Sequence, residues 1–141
     1  MFELTQIQNE IKVNKNQVNK FGNYNYRSVE DIQQALKPLL INYNCMVTLT
    51  DEIVCIGTGP SISNGDSLTG GERYYVKATA TFYDSKGQTL SVSAMAREDF
   101  KKKGMSDSQV TGSASSYARK YALGGLLLLD DQKDSDSFNN Q

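Results

Sequence analysis

Between Arg73 and Tyr83 the chain alternates strictly, with Tyr74, Val76, Ala78, Ala80 and Phe82 on one side and Tyr75, Lys77, Thr79, Thr81 and Tyr83 on the other. Successive side chains of a strand point to opposite faces, so this pattern specifies a strand with one apolar and one polar face. Asp84-Ser85-Lys86-Gly87 reads as a turn, and Leu90, Val92, Ala94 and Ala96 supply the apolar side of a return strand. Cys45, Val47 and Leu49, then Ile53 to Ile56, add extended sequence ahead of them. An antiparallel sheet of this kind must have its apolar face covered. The cover has to come from helices.

Helical spacing occurs on both sides of the strands. Leu4, Ile7 and Ile11 form a short amphipathic stretch. After a polar stretch from Asn14 to Asn25, Ser28 and Asp31 make a weak capping box, and Val29, Ile32, Leu36, Leu39 and Tyr43 form one stripe. Pro38 lies inside that stripe and is expected to kink or split the helix. Ser106 and Gln109 form a second capping box, followed at helical spacing by Val110, Ala114, Tyr117, Tyr121 and Leu128. Tyr117 and Tyr121 are expected to pack on the sheet, and Gly124-Gly125 to stop or break the helix. The fold class is therefore α+β, an antiparallel sheet with helices gathered on one face.

A length of 141 residues suffices for one domain with its own core. That domain is expected over residues 1–129, with a mobile loop at 57–71, rich in Gly, Ser and Asn, and an acidic, disordered tail at 130–141. No apolar run approaches the ~20 residues of a membrane span, and the first residues do not read as a secretory leader.

Several chemistries lack their parts. The chain has no His, which removes His-based general bases, nucleophilic triads and His-ligated zinc. Its two cysteines, Cys45 and Cys55, form no CxxC motif. Asp130, Asp131, Asp134 and Asp136 could attract Mg²⁺ but lack partner acids on rigid elements. The glycines of 57–71 lack the Lys-Ser/Thr ending of a phosphate loop. The expectation is a protein that is not an enzyme and uses no cofactor or metal.

Charge points elsewhere. The net charge is −1, yet residues 1–129 hold 14 cations against 12 acids, the remaining four acids and one lysine lying in the tail. A basic segment from Arg97 to Lys120 ahead of an acidic tail suggests a polyanion site and a tail that competes for it. Lys20, Phe21, Tyr24, Tyr26 and Arg27 interleave cations with aromatics around Gly22. Bases stack on aromatic rings while cations follow phosphates, although these rings could equally anchor the segment to the core. Residues 106–116 are nearly all small, which lets a sheet, another subunit or a phosphate backbone approach closely. On that helix Lys120 falls beside Ser113 and Ser116, and neither Arg119 nor Lys120 has an acid three or four residues away.

Two stretches in this order, KFGNYNYRSVEDI (20–32) and GMSDSQVTGSASSYARKYAL (104–123), are joined by AREDFKKKG and followed by an acidic end. Together they resemble the Erf family of phage single-strand annealing proteins over nearly the whole chain. The resemblance implies an ATP-independent recombination protein that coats single-stranded DNA, forms rings or filaments and anneals complementary strands. It implies a fold similar to the eukaryotic annealing proteins, with DNA in an outer positive groove, in the cytoplasm of a bacterial host. It also implies partners such as a host single-strand-binding protein or a phage exonuclease, recruited in larger relatives by a C-terminal extension. Lys20, Tyr24, Tyr26 and Arg27 match the first motif. Arg97, Lys101, Lys102, Lys103, Gln109, Ser113, Ser116, Arg119 and Lys120 belong to the second half, and Lys77 joins them as a strand cation. The rival readings are a binding protein that protects single strands without annealing them, and a nuclease built on Asp130 to Asp136.

Overall fold

A computed structural model describes residues 1–57, 72–97 and 107–130; of residues 57, 72 and 107–111 only the backbone is described. The order of elements is α1 (Phe2–Glu10), β1 (Gln17–Asn19), β2 (Tyr24–Tyr26), α2 (Val29–Tyr43), β3 (Met46–Gly57), β4 (Glu72–Tyr83), β5 (Thr89–Arg97) and α3 (Asp107–Leu127). The architecture is α+β. β3, β4 and β5 form an antiparallel meander, and β1 and β2 a separate two-stranded hairpin.

The alternation of β4 organises the rest. Val76, Ala78, Ala80 and Phe82 are buried, joined on the same face by Val47 and Leu49 of β3 and Val92, Ala94 and Ala96 of β5. The opposite face carries hydroxyls, with Thr79 bonded to Ser93 at 2.8 Å and Thr81 to Ser91 at 2.7 Å across β4 and β5. Gly87 takes φ +88° in the β4–β5 turn, where a side chain would be strained. Buried Asp84 closes this turn by accepting from the backbone N–H groups of Lys86 and Gln88.

α3 lies along the apolar face of β4 and β5, with α1 and α2 against it. Its buried residues are Ala114, Ala118, Ala122, Leu123, Leu126 and Leu127. This corrects the expected stripe: Tyr117 and Tyr121 do not pack on the sheet but stand 53% and 51% exposed on another side of α3. Alanines face Ala78 and Ala80, so helix and sheet approach too closely there for aromatic rings. Gly124-Gly125 also fails to break α3, which continues to Leu127. A Cβ on Gly125 would meet Val92 Cγ1 at 3.2 Å, so glycine serves close packing on β5. The helix ends where Leu128 turns left-handed (φ +56°) and the Leu129 N–H reaches the Gly124 carbonyl at 3.0 Å.

α2 begins at the capping box read from the sequence: Ser28 Oγ accepts from the Asp31 N–H, and Asp31 accepts from the Ser28 N–H. It runs unbroken through Pro38, so the expected split does not occur. Pro38 and Gln34 are both exposed, which leaves the Gln34 carbonyl to water rather than orphaned in the core. Residues 58–71, the Ser106 capping box and residues 131–141 lie outside the described residues.

Candidate nucleic-acid interface

The hairpin of β1 and β2 interrupts the stretch read as merely polar. Its three-residue strands pair Gln17 with Tyr26 and Asn19 with Tyr24, so these four residues share one face. That face looks toward the start of α2 and the exposed side of α3. Between them is a groove of about 420 Å³ lined by Asn19 of β1 and by Tyr24, Tyr26, Arg27, Ser28, Val29 and Glu30 from the first motif. Ser113, Ser116, Tyr117, Lys120 and Tyr121 of the second motif form the other wall. The two stretches picked out in the sequence thus meet in space.

Lys120 is the central charge. Its Nζ lies 5.3 Å from the centroid of the Tyr26 ring, within cation–π range. Asp31 is held below the usual carboxylate range, chiefly by the hydrogen bond from the Ser28 backbone; burial opposes this, while Gln17, the Ser28 hydroxyl and the charge of Lys120 assist. Tyr24 and Tyr26 meet edge to face at 6.2 Å, and Tyr117 and Tyr121 stack at 6.4 Å with ring planes 15° apart. Paired, half-exposed rings beside hydroxyls and an ammonium can offer both flat apolar faces and phosphate ligands. Glu30 brings one acid to the lining.

The other candidate residues are distributed differently. Arg27 is 8% exposed and donates to the Val13 carbonyl at 3.3 Å and the Asp130 carbonyl at 2.7 Å, fastening the chain beneath the groove. Arg119 has a carboxylate after all, although not on its own helix: its Nε lies 3.0 Å from Asp51 Oδ1, while Ser115 donates to Asp51 Oδ2 at 2.6 Å. Lys77 and Arg97 lie on the hydroxyl-bearing face of the sheet, away from α3. Lys20 is exposed at the hairpin turn. Lys101, Lys102 and Lys103 lie outside the described residues, and Gln109 belongs to the first turn of α3, its side chain undescribed.

Asp51, Ser115, Asn19, Tyr117 and Tyr121 are not among the site candidates that the sequence supplies, the two tyrosines being expected in the core instead. The tyrosines had a usable signal, since Ser113, Tyr117, Lys120 and Tyr121 recur at helical spacing on one side of α3.

The Asp51 cluster makes a testable statement about pH. Burial pushes the Asp51 carboxyl up, but hydrogen bonds from Arg119 and Ser115 and the guanidinium charge outweigh it and hold the group below its ordinary value. Stability from a carboxyl depressed in the fold is present above its unfolded pKa of about 3.9 and is lost as pH falls through the folded value. Arg119 is about one-third exposed, so screening keeps the pair small. Asp51→Asn is expected to remove about 0.5–1 kcal/mol at neutral pH, a difference that begins to narrow near about pH 4 and is gone below the depressed folded value, as read by urea unfolding.

Among the described residues, no group of three or more His, Cys, Asp or Glu side chains is placed to hold a metal ion. Nor is any described helix long and apolar enough to cross a membrane. Comparison with known proteins gives two matches. The family model for the ERF superfamily matches residues 2–141. A protein of Salmonella phage P22, the "Essential recombination function protein", is 48% identical over 134 residues, 95% of this chain and 57% of the relative. The chain thus spans somewhat over half the length of that curated relative. No solved structure matches this chain.

Proposed function

The chain belongs to the ERF superfamily, and on that premise we propose that it anneals complementary single strands of DNA in phage recombination, as an oligomer and without ATP or catalysis. The groove between the β1–β2 hairpin and α3 carries this reading. It joins Lys120, three serine hydroxyls and four tyrosines drawn from both family motifs. Annealing requires each strand to be held by its phosphates with its bases free to pair. Cations and hydroxyls can provide that grip, and aromatic faces can space bases without reading them.

Oligomer formation has support in the topology. β3 and β5 are the edges of the three-stranded sheet, and edge strands invite pairing with another copy. A fold similar to that of eukaryotic annealing proteins and recruitment of a host single-strand-binding protein or phage exonuclease belong to the same proposal.

The test is the rate at which the chain pairs complementary oligonucleotides without nucleotide cofactor. Acceleration over the spontaneous rate is expected. A chain that holds the strands apart is a protective binding protein, and one that cleaves them in Mg²⁺ is a nuclease; either result rejects the proposal. Binding should weaken steeply with salt. Replacing Lys101, Lys102 and Lys103 together by alanine should flatten the log–log slope by about 0.7 for each phosphate no longer neutralised. An unchanged slope would remove those lysines from the interface.

A further inference from the structure

Phe21 sits at the tip of the β1–β2 hairpin and is 99% exposed, the most open of the large apolar side chains described. Its neighbours in the motif behave otherwise, since Tyr24 and Tyr26 turn inward to the groove. A phenyl ring on a loose loop would mean little, but this tip is built. Asn19 Oδ1 accepts from the backbone N–H groups of both Phe21 and Gly22 at 2.9 Å. Asn19 Nδ2 donates to the Tyr24 hydroxyl at 3.1 Å, and the Asn23 N–H reaches the Asn19 carbonyl at 2.7 Å. Asn23 takes the left-handed conformation (φ +58°) that closes the turn. Gly22 admits the Tyr24 ring: a Cβ there would fall 2.7 Å from Tyr24 Cδ2. Two asparagines, one glycine and one tyrosine therefore fix the turn that presents Phe21 to solvent.

The surroundings name what the ring meets. Between Glu10 and Glu30 the chain carries Lys12, Lys15 and Lys20 besides the buried Arg27, and no acid. Lys20 is adjacent and exposed, and the hairpin's other open positions include Val18, Asn23 and Asn25. An identical copy would bring the same excess of positive charge to a like-with-like contact. A polyanion with flat apolar groups complements both features.

We propose that Phe21 is a wedge that inserts between neighbouring bases of a bound single strand, breaking the stack so that bases are separated before they pair. The proposal rests on the single-strand reading above and adds to it a residue outside the groove with a different task. Groove residues hold the backbone; the tip opens the stack.

The experiment uses the chain's lack of tryptophan. Phe21→Trp creates a sole tryptophan at the tip, and its emission is followed as the full chain is titrated with oligothymidylate and with an abasic strand of the same length. Quenching by oligothymidylate alone is expected, because stacking needs bases. In parallel, Phe21→Ala should bind a labelled single strand about 10-fold more weakly than wild type. It should also lose the rise in 2-aminopurine fluorescence that unstacking produces in a strand bound by wild type. Equal affinity and an equal 2-aminopurine response in Phe21→Ala would overturn the wedge while leaving the single-strand reading intact. So would tryptophan emission that changes with protein concentration alone, which would assign the ring to a contact between copies. Failure of the wild-type chain to bind any single strand would overturn the underlying reading itself.

Discussion

Phe82→Ala is expected to lower the free energy of unfolding by about 3–5 kcal/mol, the usual range for emptying a buried aromatic site. Phe82 has no exposed surface and is the largest of the fully buried side chains. It stands between Val47 and Leu90 in the register of the sheet and belongs to the core that includes Leu4, Ile7, Ile32 and the C-terminal turns of α3. Domains of this size hold only about 5–15 kcal/mol in all, so this loss is a large fraction of the total. Equilibrium urea unfolding should show a lower midpoint at an unchanged slope. A midpoint within error of wild type would mean that β4 is not the centre of the core.

Lys120→Glu is expected to weaken single-strand binding by at least about 10-fold, since it replaces a charge-assisted phosphate contact of about 1.5–3 kcal/mol with repulsion. The reversal also places a carboxylate near Asp31 and Glu30, so Lys120→Met serves beside it. Methionine keeps the apolar stem against Tyr26 and removes only the charge. It should bind several-fold more weakly, with a flatter salt dependence and little change in melting temperature. Wild-type affinity in Lys120→Met would move the interface to the other cation-bearing surface, where Lys77 and Arg97 lie.

Much of this was legible because a few local rules were obeyed strictly. The period-two pattern of 73–83 located the sheet, and the Ser28–Asp31 box located the start of α2. The stretch at 17–26 hid its hairpin because three-residue strands are too short to display a period. Tyr117 and Tyr121 were misplaced because aromatic spacing outweighs alanine spacing in a hydrophobic pattern. Here Ala78 and Ala80 leave room only for alanine, and the rings are driven to the other side. Gly124-Gly125 was read by intrinsic propensity, which the packing of α3 on β5 overrides. Arg119 lacked a carboxylate only within its own helix; Asp51 lies 68 positions away, a distance no spacing rule crosses. The groove follows the same logic: both motifs were visible, but not that they are its opposite walls.

The Arg27 guanidinium also ties together two backbone segments far apart in sequence, at Val13 and at Asp130. By holding the carbonyl of Asp130 at 2.7 Å, it brings that residue beside the pocket where Arg27, Lys120 and Leu129 meet. A substitution at Arg27 therefore changes two things at once, a wall of the groove and the anchor of the Asp130 backbone.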